Sequence, residues 1–147
     1  LKAADRDAAH QLEPWRSNDE VDAWFGEGQR VFGVKHGTRL VARMCCNLEQ
    51  FDFPGCYRAL ESDEVYLHSA CVDQAMRGKD IAPRMRQACY ASMGRAGGSR
   101  FYSTTKFLNV AARRFKQKLN ARDTSLLFYI ELFGKWSGTL TVWRFDP

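Results

Sequence analysis

No run of about 18 consecutive apolar residues occurs in the sequence, which excludes a membrane-spanning helix. The opening Leu1-Lys2-Ala3-Ala4-Asp5-Arg6 lacks the apolar stretch of a signal peptide, so a cytoplasmic location is expected. The first residue is Leu rather than Met, and a preceding segment is therefore not excluded. No Cys-x-x-Cys pair occurs among Cys45, Cys46, Cys56, Cys71 and Cys89, and His10, His36 and His68 are widely separated. Neither a disulfide framework nor a zinc or other metal site is expected. Cys45 and Cys46, adjacent on a strand, point to opposite faces and read as small buried hydrophobes. Internal repeats, the Walker A pattern and the three-glycine dinucleotide fingerprint are also missing.

What is present suits one domain spanning 1–147, long enough to bury a core without cross-links. The net charge of +5 is unevenly placed. From Arg77 to Arg122 there are twelve Lys or Arg against the single acid Asp80, so the rest of the chain is acidic. Part of the surface is expected to meet a polyanion, a phosphorylated cofactor or a nucleic acid, unless these are ordinary solvated helix faces. No nucleic-acid motif accompanies the charge, and such a partner is not expected.

The pattern predicts a helix over Leu1 to Leu12 that Pro14 closes, and a second, opened by the capping box Ser17-Asn18-Asp19-Glu20, that runs to about Glu27 and stops at Gly26 and Gly28. Strands over Arg30 to Lys35 and Thr38 to Cys46 form a hairpin around His36-Gly37. Asn47 to Asp63, with Pro54-Gly55 at its middle, reads as an irregular connection. Glu64 to Val72 is a strand, Asp73 to Lys79 a loop, and Asp80 to Met93 a helix whose inner face is Ile81, Met85, Ala88 and Ser92. Gly94, Gly97 and Gly98 stop that helix. A strand at Arg100 to Thr104 and a helix at Asn109 to Asn120 follow, then strands at Ser125 to Phe133 and Thr139 to Phe145 hinged around Gly134 to Gly138. This order predicts an α/β fold with a mixed sheet.

On the strand from Glu64 to Val72, Val65 and Leu67 point one way while Glu64, Tyr66 and His68 point the other, which predicts a wet cleft on that face. Met76-Arg77-Gly78-Lys79-Asp80-Ile81-Ala82 then carries the chain into a helix. Free N–H groups at the helix start and its dipole favour an anion, Gly78 allows close approach, and Arg77 and Lys79 add positive charge.

Val72-Asp73-Gln74-Ala75-Met76-Arg77-Gly78-Lys79-Asp80-Ile81-Ala82 resembles the signature of GNAT N-acetyltransferases, a Gln/Arg-x-x-Gly-x-Gly/Ala loop after a strand. Ala75 stands where the family has Gln or Arg, and Asp80 where it has a second small residue. Asn109-Val110-Ala111-Ala112-Arg113-Arg114-Phe115-Lys116-Gln117-Lys118-Leu119 resembles the family's second motif. The resemblance implies a single-domain GNAT fold, a mostly antiparallel mixed sheet with helices on both faces, and acetyl-CoA or another acyl-CoA as co-substrate with no metal. It implies that Ala70 and Val72 hold the pantetheine through their backbone. Arg77, Gly78, Lys79, Asp80, Ile81 and Ala82 would cradle the pyrophosphate, and Asn109 would touch the cofactor.

By the same resemblance the activity is direct acetyl transfer to a primary amine, of a small molecule or of a peptide or protein. Glu64 is the leading base, His68 shares its face and titrates near neutrality, and the N–H of Val72 would stabilise the oxyanion. Where the family has a Tyr acid the chain has Lys116, and the acid is unassigned. Cys71, on the face opposite His68, is a poor nucleophile. Glu49, Asp52, Glu61 and Asp63 would attract a cationic acceptor. The competing readings are an acyltransferase using a longer acyl-CoA or an acyl carrier, and a CoA-binding domain without catalysis. No membrane surface is expected, and a homodimer is compatible with this reading.

Overall fold

The computed structural model describes residues 1–2, 5–26, 28–54, 56–133 and 136–145, and of Trp136 the backbone alone. The elements in chain order are α1 (Arg6–Leu12), α2 (Asn18–Ala23), β1 (Gln29–His36), β2 (Arg39–Asn47), β3 (Gln50–Phe53), β4 (Cys56–Ala59), β5 (Glu64–Val72), α3 (Ile81–Arg95), β6 (Arg100–Tyr102), α4 (Val110–Gln117), β7 (Ser125–Leu132) and β8 (Trp136–Arg144). They form two compact units, one of Leu1–Glu49 with Leu60–Thr104, the other of Gln50–Ala59 with Thr105–Pro147.

The first unit is a four-stranded sheet in the order β1-β2-β5-β6, antiparallel except for the parallel pair β5 and β6. Helices cover both faces. Ala9, Leu12, Val21 and Trp24 of the α1–α2 region pack with Val31, Leu40 and Cys45 on one face. Met85, Cys89 and Met93 of α3 pack with Ala42, Met44, Cys46, Val65 and Leu67 on the other. Cys45 and Cys46 thus enter different cores, as alternation along a strand requires. Burial pushes the Cys45 thiol up to about 11, so it stays a neutral apolar group.

Local signals explain most boundaries. The Glu20 N–H donates to Ser17 Oγ (3.2 Å) and the Ser17 N–H to Glu20 Oε2 (3.0 Å), closing the capping box that opens α2. That helix stops at Ala23, where Trp24 turns into the core; Glu27, its expected end, lies outside the described residues. Helix α1 begins at Arg6 rather than Leu1, and Ala3 and Ala4 lie outside the described residues. The β1–β2 turn falls on Gly37-Thr38, one residue later than expected, because Gly37 (φ +60°) takes the left-handed conformation the reversal needs.

Helix α3 buries Met85, Arg86, Cys89 and Met93, with Ile81 half-buried above them; Ile81 and Met85 of the expected inner face hold, whereas Ala88 is exposed and Cys89 and Met93 form the rest of that face. Apolar bulk at i, i+4 and i+8 decides the orientation, not the small residues beside it. The helix passes through Gly94 and ends at Ala96, beyond which Gly97 is left-handed (φ +98°) and the Gly98 N–H reaches Met93 C=O at 2.9 Å.

In the second unit β3 and β4 form a hairpin inside the stretch expected to be irregular, with Phe51 opposite Arg58 and Phe53 opposite Cys56; Gly55 lies outside the described residues. Helix α4 is capped by Asn109, whose Oδ1 accepts from the Ala112 N–H at 3.1 Å. Ala112, Arg113, Phe115 and Lys116 are its half-buried residues, and the helix ends at Gln117, short of the expected Asn120. Strands β7 and β8 pair antiparallel over their whole length. The hinge expected from Gly134 opens on Gly134 and Lys135, which lie outside the described residues, while Gly138 is already within β8.

Met85→Ala should destabilise the protein by about 2–5 kcal/mol and Ser17→Ala by about 1 kcal/mol. Urea unfolding followed by circular dichroism checks both, and the midpoint should fall in that order with the slope unchanged.

Candidate functional site

Strand β5 carries the site because its two edges are treated differently. Along β2 it pairs from Asn47↔Tyr66 to Ala42↔Val72, but along β6 it pairs only at Glu64↔Arg100, Val65↔Phe101 and Tyr66↔Tyr102. Beyond Tyr66 no strand of this unit follows its second edge. Among the described residues, the pairing of β5 with β6 ends at Tyr66.

A register break lies at the point of divergence. Cys45 faces His68 and Arg43 faces Cys71, so one residue of β2, Met44, opposes two of β5, Ser69 and Ala70. Ser69 takes the left-handed conformation (φ +49°), as a bulge residue can. The extra residue flips the alternation, placing His68 and Cys71 on the same face with Arg43 and Cys45, not on opposite faces as a regular strand predicts. The Cys71 thiol is pushed up by burial and then by the nearby Glu13 carboxylate, which disfavours the reactive thiolate.

Past the bulge the edge can be read from one bond. The Asp73 N–H donates to Val41 C=O at 2.9 Å, so Asp73 and, two residues back, Cys71 address β2. Val72 and the exposed Ala70 therefore direct their peptide groups to the open edge. The Val72 carbonyl accepts from Arg77 Nε at 3.3 Å.

A short 3-10 turn, Gln74–Met76, capped by Asp73, leads into Gly78, whose φ of +77° favours glycine. A Cβ there would meet no atom within 4 Å, so the turn is open to a ligand. Asp80 occupies the N-cap of α3 in the left-handed region (φ +54°), with no side-chain capping bond. The family pattern wants a small residue at this position, and Asp is among the few others that tolerate that backbone. The first intrahelical bond shown runs from the Arg84 N–H to Asp80 C=O (3.2 Å), leaving the N–H groups of Ile81 and Ala82 at the helix start; Pro83 sits where a missing N–H costs nothing.

Glu64 and Tyr66 are buried, so the wet cleft expected along this face does not extend to the start of β5. Glu64 Oε1 lies 3.1 Å from Arg100 Nη1, and Oε2 accepts from the Glu61 N–H at 3.1 Å. With Leu48, Val65 and Met93 it lines a recess of about 70 Å³. His68 is half-buried and stacks on Tyr66, its Nδ1 3.1 Å from Ser69 Oγ and its Nε2 3.1 Å from Gln29 Oε1. A Gln oxygen can only accept, so Nε2 carries a proton and, in the neutral ring, Nδ1 accepts from Ser69.

Asn109 and Lys116 belong to the second unit, where Lys116 Nζ donates to Thr105 Oγ1. Of the four acids expected to draw an acceptor, Asp52 is in the second unit and Glu49, Glu61 and Asp63 in the first. Asp63 is already engaged by Arg100 through Nη2 (2.6 Å) and Nε (3.0 Å) and by Ser99 Oγ. Sequence reasoning missed Ser69, Gln29 and Arg43. Only Arg43 left a signal, a charge inside the apolar run from Leu40 to Cys46.

An acyl-transfer fold with a splayed strand and a glycine turn into a helix is what these features define. The acetyltransferase (GNAT) family model matches residues 2–121. The chain belongs to this family and is an acyl-CoA-dependent N-acetyltransferase by class. A search of curated proteins finds no match to its sequence. Among solved structures it is similar to the aminoglycoside N-acetyltransferase AAC(6')-Iy in complex with CoA, at 14% identity and TM-score 0.72 over 90% of this chain and 96% of that one. It is similar to the ribosomal-protein-S18-alanine N-acetyltransferase from Escherichia coli, at 15% identity and TM-score 0.67 over 89% and 76% of the two chains. A third is AAC(6')-IG from Acinetobacter haemolyticus, at 14% identity and TM-score 0.70 over 90% and 94%. No helix among the described residues is long and apolar enough to cross a membrane.

Arg100, and after it Ser99, hold the Asp63 carboxyl below its ordinary value of 3.8. Because the folded value is the lower one, the contribution is complete above the ordinary value and disappears as pH falls through the folded one. Asp63→Asn should lower the thermal midpoint slightly at neutral pH, and the gap should close on acidification.

Proposed function

We propose that the chain transfers the acetyl group of acetyl-CoA to a primary amine by direct attack, residues 1–147 acting as one acyl-CoA-binding domain in the cytoplasm. The open edge of β5 at Ala70 and Val72, continuing into the Gly78 turn and the start of α3, carries this reading. It offers outward peptide groups to an extended amide chain and N–H groups, with Arg77 and Lys79 beside them, to a diphosphate.

Acetyl-CoA held there would supply a thioester carbonyl, and attack by the amine would break its C–S bond and release CoA, its sulfur taking a proton from water. The Val72 N–H stabilises charge on the carbonyl oxygen. The acceptor amine must lose a proton, and of the two candidates His68 is better placed to take it. Glu64 stands six residues before Ala70, roughly 20 Å of extended strand. His68 is next to the bulge and linked to Ser69 and Gln29, a short relay. The solved relatives named for aminoglycoside and ribosomal-protein alanine acetylation suggest amino sugars and peptide N-termini as first acceptors to try.

Calorimetric titration with acetyl-CoA should saturate at one ligand per chain, and Gly78→Glu should abolish binding by strain and by charge repulsion. No heat from the wild-type protein would refute the cofactor reading. With an accepted amine, His68→Gln should lower kcat/KM by on the order of 100- to 10,000-fold and Glu64→Gln by much less. The reverse order would restore Glu64 as the base.

A further inference from the structure

Arg43 lies in the middle of β2 with its side chain fully buried. Removing a guanidinium from water is unfavourable unless every partner is supplied. Glu13, just after α1 and buried as well, contacts Nη2 as an ion pair, and Arg16 Nε lies 3.4 Å from the other Glu13 oxygen. The Trp24 ring stacks on the guanidinium, with Cζ 3.2 Å from the ring centroid. Nη1 donates to the Ser69 carbonyl at 2.9 Å and approaches Cys45 Sγ at 3.2 Å.

The bond to Ser69 gives this cluster its meaning. Ser69 is the left-handed residue of the β5 bulge, and a bulged residue drops out of the regular ladder. Its half-buried carbonyl then takes a donor from elsewhere. A buried ion pair contributes little stability by itself, since apolar side chains of the same volume often serve as well. They cannot donate to Ser69.

Resting on the acetyl-CoA reading above, we propose that Arg43, set by Glu13 and Trp24, is a positioning residue that fixes the Ser69 bulge and thereby the direction of the Ala70 and Val72 peptide groups that take the acyl donor. It touches no substrate. The cluster lies on the α1–α2 face and acts through the backbone of β5.

The double variant Glu13→Leu/Arg43→Met separates stability from positioning. It should keep a thermal midpoint close to the wild type, bind acetyl-CoA about tenfold to a hundredfold more weakly, and exchange the amide hydrogens of Ser69 to Val72 faster in the free protein. Arg43→Lys, which keeps a donor and a charge, should fold and restore part of both, and it decides the matter if the double variant does not fold. Acetyl-CoA affinity equal to wild type in a folded variant lacking the guanidinium overturns the proposal. If the wild type gives no heat with acetyl-CoA, the cofactor reading fails by itself, and unchanged exchange at Ser69 to Val72 in the variants overturns the positioning role separately.

Discussion

Between Tyr66 and Val72, β5 passes from having strand neighbours on both edges to having, among the described residues of its unit, one on the β2 side alone. An interior strand that loses a neighbour leaves peptide groups needing partners, and an open edge invites unwanted strand pairing. Here the open stretch is short, bent by the bulge at Ser69 and Ala70, and ends in a turn that no strand continues. It suits an extended ligand bearing amide groups better than a second β-strand. The chain leaving the open edge enters α3 through Gly78, so the proposed anion site continues from the same geometry.

The divergence is held from both sides. Val65 and Leu67 pack on α3 through Met85, Cys89 and Met93, while Arg43 and Trp24 fill the opposite face under the bulge. At the start of β5, Arg100 ties Asp63 and Glu64 together where the β6 pairing begins. A site built on a strand clamped in this way keeps its peptide groups in fixed directions, which loop-borne groups do not.

How far the sequence disclosed this depends on the range of each signal. The limits of β5 and the capping box at Ser17 are local patterns, and both are where the sequence puts them. The β3–β4 hairpin was missed although Gln50-Phe51-Asp52-Phe53 alternates polar and apolar, because four residues are too few to distinguish a strand from chance. The face shared by His68 and Cys71 was misread because a bulge is decided by the partner strand and leaves no mark in a regular count. Arg43 was visible as a charge among apolar residues, but its meaning required Glu13, Trp24 and Ser69, which lie 19 or more residues away along the chain.

The excess of positive charge from Arg77 to Arg122 also changes character once placed. Arg86 is buried in α3, Arg100 is committed to Asp63 and Glu64, Arg113 reaches Asp123 at 3.8 Å and lies over the Phe107 ring, and Lys116 bonds Thr105. Three of the segment's twelve cations, Arg100, Arg113 and Lys116, are thus engaged by acids or a hydroxyl. Around the open turn, Arg77, Lys79 and Arg84 remain exposed. Three cations within a few residues of a helix start make a field of short range, screened within about 10 Å at moderate salt. Such a field is matched to one diphosphate group, whereas a nucleic-acid backbone repeats its charge along a groove and needs a continuous basic track.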